Sequence, residues 1–290
     1  MKTVKGLHEK MGTFENANTS FHQAARCKRY TNEVLAFSMV KEEELLRATE
    51  EIQNLTYRQG EYKIFKVFEP KERLIMALPF YDRVVQHMIC NAIQPVFENG
   101  FYYHSYACRS GKGMHAASDT LYQWMYETEV KQGLRMYAFK GDISKYFASI
   151  PHDKLKDENR RYIGDKKALM LMDDIIDHNG ILPDGVGIPV GNLTSQLFAN
   201  VYGNKLDKFC KHVLHIPYFV RYMDDFIILS DDLEQLKEWV KRIEEFLENE
   251  MLLHINPKST ILYAGNGIDF CGYIHYADHK KVRKSSIRKL

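Results

Sequence analysis

The chain has 290 residues, 45% of them hydrophobic and 27% charged, with a net charge of +2. This balance excludes a mainly disordered chain and a fibrous repeat, and it allows one core or a core with lobes. No run of 18 uninterrupted apolar residues occurs and the N-terminus lacks an apolar signal core, so a cytoplasmic protein without a membrane span is expected. The five cysteines, Cys27, Cys90, Cys108, Cys210 and Cys271, form no CxxC pair. That argues against a zinc knuckle and against a disulfide framework. The small net charge hides an asymmetry: Lys280, Lys281, Arg283, Lys284, Arg288 and Lys289 crowd the end without an acid among them. Such a basic tail can bind a phosphate backbone or simply be a solvated end.

Residues 1–60 read as helical. Tyr62–Phe68 alternates and is rich in β-branched and aromatic residues, which predicts a strand. Pro70, Lys71 and Glu72 form a turn, Arg73–Leu78 a return strand, and Asp82–Phe97 a helix. Leu121–Val130 is a further helix, and 136–147 carries an apolar strand into Asp142. Residues 168–178 read as helix, followed by a glycine-rich stretch from Gly180 to Gly191 and a long helix over Leu193–Val213. Residues 218–229 are two apolar runs joined by acids, the pattern of a hairpin with a charged tip. Leu233, Leu236, Val240, Ile243 and Leu247 fall on one helical face, and a last strand pattern ends at Phe270–Ile274.

Asp224 and Asp225 carry the most information. Aspartate disfavours strand interiors, yet two sit between strand-like runs. Half-buried acids need partners, and a divalent cation is the obvious one. A second apolar strand delivers Asp142, so carboxylates from neighbouring strands could hold two Mg²⁺ ions roughly 3.5–4 Å apart. The competing reading of an Asp-Asp pair alone is an ordinary turn.

With its neighbours, the pattern resembles the reverse transcriptases. Tyr222-Met223-Asp224-Asp225 matches the YxDD signature, and Asp142-Ile143-Ser144-Lys145-Tyr146-Phe147 matches the first aspartate motif. Residues 188–200 resemble the motif packing under the nascent base pair, Lys258 fits the lysine motif, and Phe270-Cys271-Gly272-Tyr273 fits the primer grip. The resemblance covers about residues 60–275 and implies an α+β right-hand palm, an antiparallel sheet with packed helices, plus fingers. It implies RNA-directed DNA synthesis from an RNA template and a DNA or RNA primer with dNTPs. Asp142, Asp224 and Asp225, with the Ile143 carbonyl, would hold two Mg²⁺ ions, Mn²⁺ being able to substitute. Lys71 and Arg73 would grip the triphosphate, and Lys258 would serve the leaving pyrophosphate. Phe147 would be the steric gate against ribonucleotides, with Val190, Gly191 and Gln196 at the nucleotide. Arg109 and Lys112, beside Gly111 and Gly113, would meet nucleic-acid phosphates; Phe270, Cys271, Gly272 and Tyr273 would hold the primer.

Val190 stands where retroviral and group II intron enzymes carry glutamine, and Gln196 where they carry proline. That combination, with 105–115 and 80–87, resembles the enzymes of diversity-generating retroelements. It implies error-prone copying opposite template adenines and a small, basic, helical accessory protein. The expected organisation is an N-terminal helical segment (1–60), fingers (61–135), palm (136–275) and basic tail (276–290), with a minimal or absent thumb. A retron-like or phage-defence enzyme and a non-catalytic RNA-binding relic are the alternative readings.

Overall fold

A computed structural model of the chain describes residues 3–68 and 72–287. They fall into two compact units, Met1–Gly100 with Phe147–Val201, and Phe101–Tyr146 with Tyr202–Leu290. No helix among the described residues is long and apolar enough to cross a membrane.

The first unit opens with helices Leu7–Met11, Phe14–Ala24, Asn32–Met39 and Lys41–Gln53. Thr13 caps the second by accepting from the Asn16 amide at 3.2 Å. That helix packs on the long helix Phe80–Glu98. Phe21, Phe37 and Phe80 form a three-ring cluster there, with centroids 5.1–6.0 Å apart. Strands β1 (Lys63–Val67) and β2 (Arg73–Ala77) make the expected hairpin, from Lys63↔Ala77 to Val67↔Arg73. Lys71, in its connection, lies outside the described residues. Helices His152–Tyr162 and Lys166–Asp177 complete the unit's regular elements ahead of the glycine-rich loop. The Asp165 carboxylate caps the latter helix and also accepts from the amides of Leu7 and His8 at 2.8 and 3.0 Å. One side chain therefore ties two helix N-termini together.

The second unit has the mixed helix and antiparallel-sheet content of a palm-like α+β fold. Its main sheet holds β3 (Tyr137–Asp142), β4 (Tyr218–Tyr222), β5 (Asp225–Ser230) and β6 (Thr260–Tyr263) in the order β4-β5-β3-β6. All neighbours are antiparallel. Helix Leu233–Glu250 lies on β3 and β5 and buries Leu236, Trp239, Ile243 and Leu247. Leu233 and Val240, expected on that face, are half-buried, and Trp239 takes the inner position instead. On helix Met114–Met125, Ala117, Leu121 and Met125 join Val220, Ile227 and Leu229 in one core cluster. Helices on both sides explain why β5 is buried from Phe226 to Ser230 rather than alternating. Gly141 is forced by packing: a Cβ there would lie 2.3–2.7 Å from the Phe226 ring. β3 therefore approaches β5 closely just before Asp142.

A smaller sheet follows, β7 (Ile268–Phe270), β8 (Tyr273–His275) and β9 (Lys280–Val282), in that order. Part of the basic run at the chain's end is thus built into a sheet. Lys280 pairs with Asp119, and the Arg283 Nε donates to Asp269 at 2.8 Å. The Ser118 hydroxyl meets His275 Nε2 at 2.8 Å, joining helix Met114–Met125 to β8.

Candidate active site

The β4–β5 hairpin turns on two residues, Met223 and Asp224, because Tyr222 pairs with Asp225. Met223 sits at φ +59° with its side chain buried, a left-handed conformation that a non-glycine residue holds only when its surroundings enforce it. The enforcing group is Arg221, fully buried in β4. Its Nε and Nη2 bind both oxygens of Asp207 at 2.6 and 2.7 Å, Nη2 also reaches Ser105 Oγ at 3.0 Å, and Nη1 donates to the Met223 carbonyl at 2.8 Å. The fork thus anchors the turn from beneath. Gly203 makes room for it, since a Cβ there would stand 2.6 Å from Arg221 Nη1.

The turn delivers the carboxylates. Asp225, the first residue of β5, pairs in register with Asp142, the last of β3. The Ile143 amide donates to the Asp224 carbonyl at 3.2 Å, tying the end of β3 to the hairpin tip. Burial, then the charges of Asp224 and Asp142, push the Asp225 carboxyl up to about 6, and a hydrogen bond with Asp142 adds to the rise. Three acids thus share one neighbourhood of reduced polarity.

Asp142 is held from its other side by residues to which sequence reasoning gave no role. Asn256 Nδ2 donates to Asp142 Oδ2 at 2.5 Å, and the Asn256 amide donates to the Asp142 carbonyl at 2.8 Å. The Asp142 amide donates to Ser259 Oγ at 3.0 Å. Asn256 Oδ1 accepts from the Lys258 amide at 3.0 Å, an Asx turn that leaves the Lys258 side chain exposed beside this clamp. The signal in the sequence is the Asn-Pro-Lys-Ser run, whose asparagine and proline mark a turn beside the lysine.

The donor set suits a hard divalent cation: carboxylate oxygens crowded enough that Asp224 and Asp142 raise the proton affinity of Asp225. Among the described residues, no group of three or more His, Cys, Asp or Glu side chains closes on a single metal position. The fit therefore rests on the donors' chemistry and crowding.

The remaining candidates divide between the two units. In the second, Cys271 and Gly272 form the β7–β8 turn, both at positive φ, with Phe270 paired to Tyr273. Phe270 is 1% exposed and belongs to the core, so its ring supports the hairpin and does not face solvent. Burial and the charge of Asp225 push the Cys271 thiol up to about 12, which sets this turn near the carboxylates. The Arg109 guanidinium donates to the carbonyls of Tyr102 and Ser105 at 2.8 and 2.7 Å. The Lys112 ammonium donates to the Tyr103 carbonyl at 3.1 Å and lies 3.5 Å from that ring's centroid. In the first unit, Arg73 begins β2 and is exposed. The Phe147 carbonyl accepts from the Ile188 amide at 2.8 Å, and the Val190 carbonyl accepts from the Met76 amide at 3.1 Å. Gly191, at φ +122°, passes so close to β2 that a Cβ would meet the Met76 oxygen at 3.2 Å. Gln196 lies on helix Leu193–Lys208.

Comparison with known proteins agrees with this geometry. The family model for reverse transcriptase (RNA-dependent DNA polymerase) matches residues 66–275. Protein YkfC of Escherichia coli (strain K12) is 25% identical over 251 residues, covering 71% of this chain and 62% of that protein. The uncharacterized 91 kDa protein in cob intron of Schizosaccharomyces pombe is 29% identical over 137 residues, 46% of this chain and 16% of its own. The putative COX1/OXI3 intron 2 protein of Saccharomyces cerevisiae is 22% identical over 254 residues, 66% and 29% respectively. The chain thus spans less than two thirds of each relative's length. Among solved structures, apo telomerase from Candida tropicalis truncated from the C-terminal domain superposes with a TM-score of 0.56 at 15% identity, covering 79% of this chain and 55% of that one. Telomerase from Candida albicans with a fragment of telomeric RNA gives 0.57 at 12%, covering 79% and 48%. At such identities these likenesses show the fold alone. The match over residues 66–275 shows that the chain belongs to the reverse transcriptase family.

Proposed function

We propose that the protein is an active RNA-directed DNA polymerase that extends a DNA or RNA primer on an RNA template with dNTPs. The observation that carries this reading is the crowding of Asp142, Asp224 and Asp225 at the β3–β5 end, where Asp225 is pushed up to about 6. Asp142 and Asp224 would hold two Mg²⁺ ions, or Mn²⁺ in their place, with Asp225 and the Ile143 carbonyl beside them. When bound, such ions polarise the attacking hydroxyl and neutralise charge on the leaving pyrophosphate. The chain's own contribution is to hold the carboxylates still. Arg221 fixes the Met223-Asp224 turn, and Asn256 and Ser259 fix Asp142. Lys258, exposed next to that clamp, would meet a departing phosphate with its charge. Phe147 would exclude the ribose 2′-hydroxyl, and Lys71 and Arg73 would hold the triphosphate.

The finer reading is an error-prone enzyme of a diversity-generating retroelement, bacterial or phage-encoded, cytoplasmic, and working with a small basic accessory protein. Val190 supports it, because an apolar side chain supplies no hydrogen bond to a nascent base pair. The test is primer extension on an adenine-containing RNA with four dNTPs and Mg²⁺, with Asp224→Ala alongside. Wild-type cDNA, reduced at least a hundredfold in the variant, is expected. Equal cDNA from both would refute the assignment of Asp224; none from wild type, with or without a candidate partner, would leave RNA binding without synthesis.

A further inference from the structure

The turn that carries Val190 is fixed by a closed set of hydrogen bonds within the first unit. Met76 holds the Val190 carbonyl by its backbone, as described. Asn192 and Leu193 are held by side chains. Asn192 Nδ2 donates to the Tyr62 hydroxyl at 2.9 Å. That hydroxyl also accepts from Gln59 Nε2 at 2.7 Å and donates to the His178 carbonyl at 3.0 Å. Its one donor and two acceptor sites are all used. Gln59 Oε1 in turn accepts from Gln86 Nε2 at 3.2 Å, and Gln86 Oε1 accepts from the Leu193 amide at 3.2 Å. Leu193 begins a helix, so its amide is one of the donors a helix start leaves unpaired, and Gln86 satisfies it. Gln86 is 1% exposed and Asn192 3%, so water is a poor substitute for any lost partner.

We infer that Tyr62 and Gln86 are positioning residues for nucleotide selection. They set the height and tilt of the Val190–Leu193 turn and touch no substrate themselves. This rests on the polymerase reading and deepens it. If selection depends only on the side chain at 190, the anchor is irrelevant to fidelity. If it depends on how rigidly the turn is held, loosening the anchor lets mispairs be accommodated. Gln86 is buried and Tyr62 half-buried, and the loss of one hydrogen-bonding group at either corresponds to about a two- to thirtyfold change in a ratio of rates.

The test compares Tyr62→Phe and Gln86→Met with wild type in primer extension. It measures kcat/KM for correct and incorrect dNTPs together with the melting temperature. Tyr57→Phe is the control: it removes a hydroxyl that donates to buried Asp82 at 2.8 Å in the same unit, with no bond to the turn. The expected result is a misincorporation ratio raised at least threefold in Tyr62→Phe and Gln86→Met but unchanged in Tyr57→Phe at comparable loss of melting temperature. Unchanged ratios in both anchor variants, or an equal rise in Tyr57→Phe, would overturn the inference and leave the polymerase reading intact. A wild-type chain that makes no cDNA would overturn both.

Discussion

Asp225 is expected to destabilise the fold in the absence of a cation, and the consequence can be measured without any polymerase assay. Its carboxyl has an ordinary value of 3.8 and is pushed up to about 6 in the fold by burial and by Asp224 and Asp142. A folded value above the unfolded one means that the folded state holds the proton more tightly. The associated stability is fully present below about pH 4 and is lost as pH rises through about 6. The whole gap corresponds to about 3 kcal/mol at 1.36 kcal/mol per pH unit, and partial exposure of the side chain reduces it to about 1–2 kcal/mol. Asp225→Asn removes the charge, and the amide can still donate to Asp142. At pH 8 without divalent cations the variant is expected to melt about 2–6 °C higher than wild type, while at pH 4 the two should coincide. Added Mg²⁺ should raise wild type and narrow the difference, since a ligand of the native state stabilises it by mass action. Differential scanning fluorimetry across pH, with EDTA or Mg²⁺, is sufficient. An equal gain at both pH values, or none at pH 8, would refute the crowding argument.

Two further outcomes follow from named contacts. If position 190 faces the nascent pair as proposed, Val190→Gln is expected to lower misincorporation opposite template adenine about five- to thirtyfold, read by sequencing cDNA, because it adds a polar group worth about 1–2 kcal/mol. Arg221→Ala is expected to cost about 3–5 kcal/mol in chemical denaturation, because it leaves Asp207 buried and unpaired, and Arg221→Lys should recover only part of it since one ammonium cannot span both oxygens.

The sequence revealed those features whose cause is local. The two apolar runs around Asp224 and Asp225 announce a hairpin because strand residues and acids alternate in blocks. The helix over Leu233–Glu250 announces itself by its 3.6-residue spacing, and in the fold Asp232 caps it by accepting from the Glu234 and Gln235 amides. What stayed hidden depends on partners distant in the chain. The hairpin tip is Met223-Asp224, with Asp225 already inside β5, because register is set by β3 and not by the two acids themselves. β6 and β9 are four and three residues long, too short for a pattern, and exist because β3 and β8 offer edges to pair with. The long helix expected over Leu193–Val213 ends its α-helical part at Lys208, and Phe209–Val213 continues with π-type hydrogen bonding.

Arg221 shows why a motif alone under-describes the site. In sequence it is an arginine inside an apolar strand, an oddity that a surface position would explain equally well. In the fold it has no exposed surface, and four of its five donors go to Asp207, Ser105 and the Met223 carbonyl. The carboxylates need a turn in a left-handed conformation, which costs of order 1–3 kcal/mol. They also need like charges kept close, which adds to the cost. A buried, doubly hydrogen-bonded guanidinium bound to the carbonyl of the strained residue offsets the first. The second is offset in part by Lys140 beside Asp225 and by the Asn256 hydrogen bond to Asp142, and a cation or a proton at the carboxylates would relieve the rest. The scaffold is therefore fixed by the chain itself, while the crowding of its carboxylates is not fully offset, and this is why mutating Arg221 should destabilise the unit whereas mutating Asp225 should stabilise it.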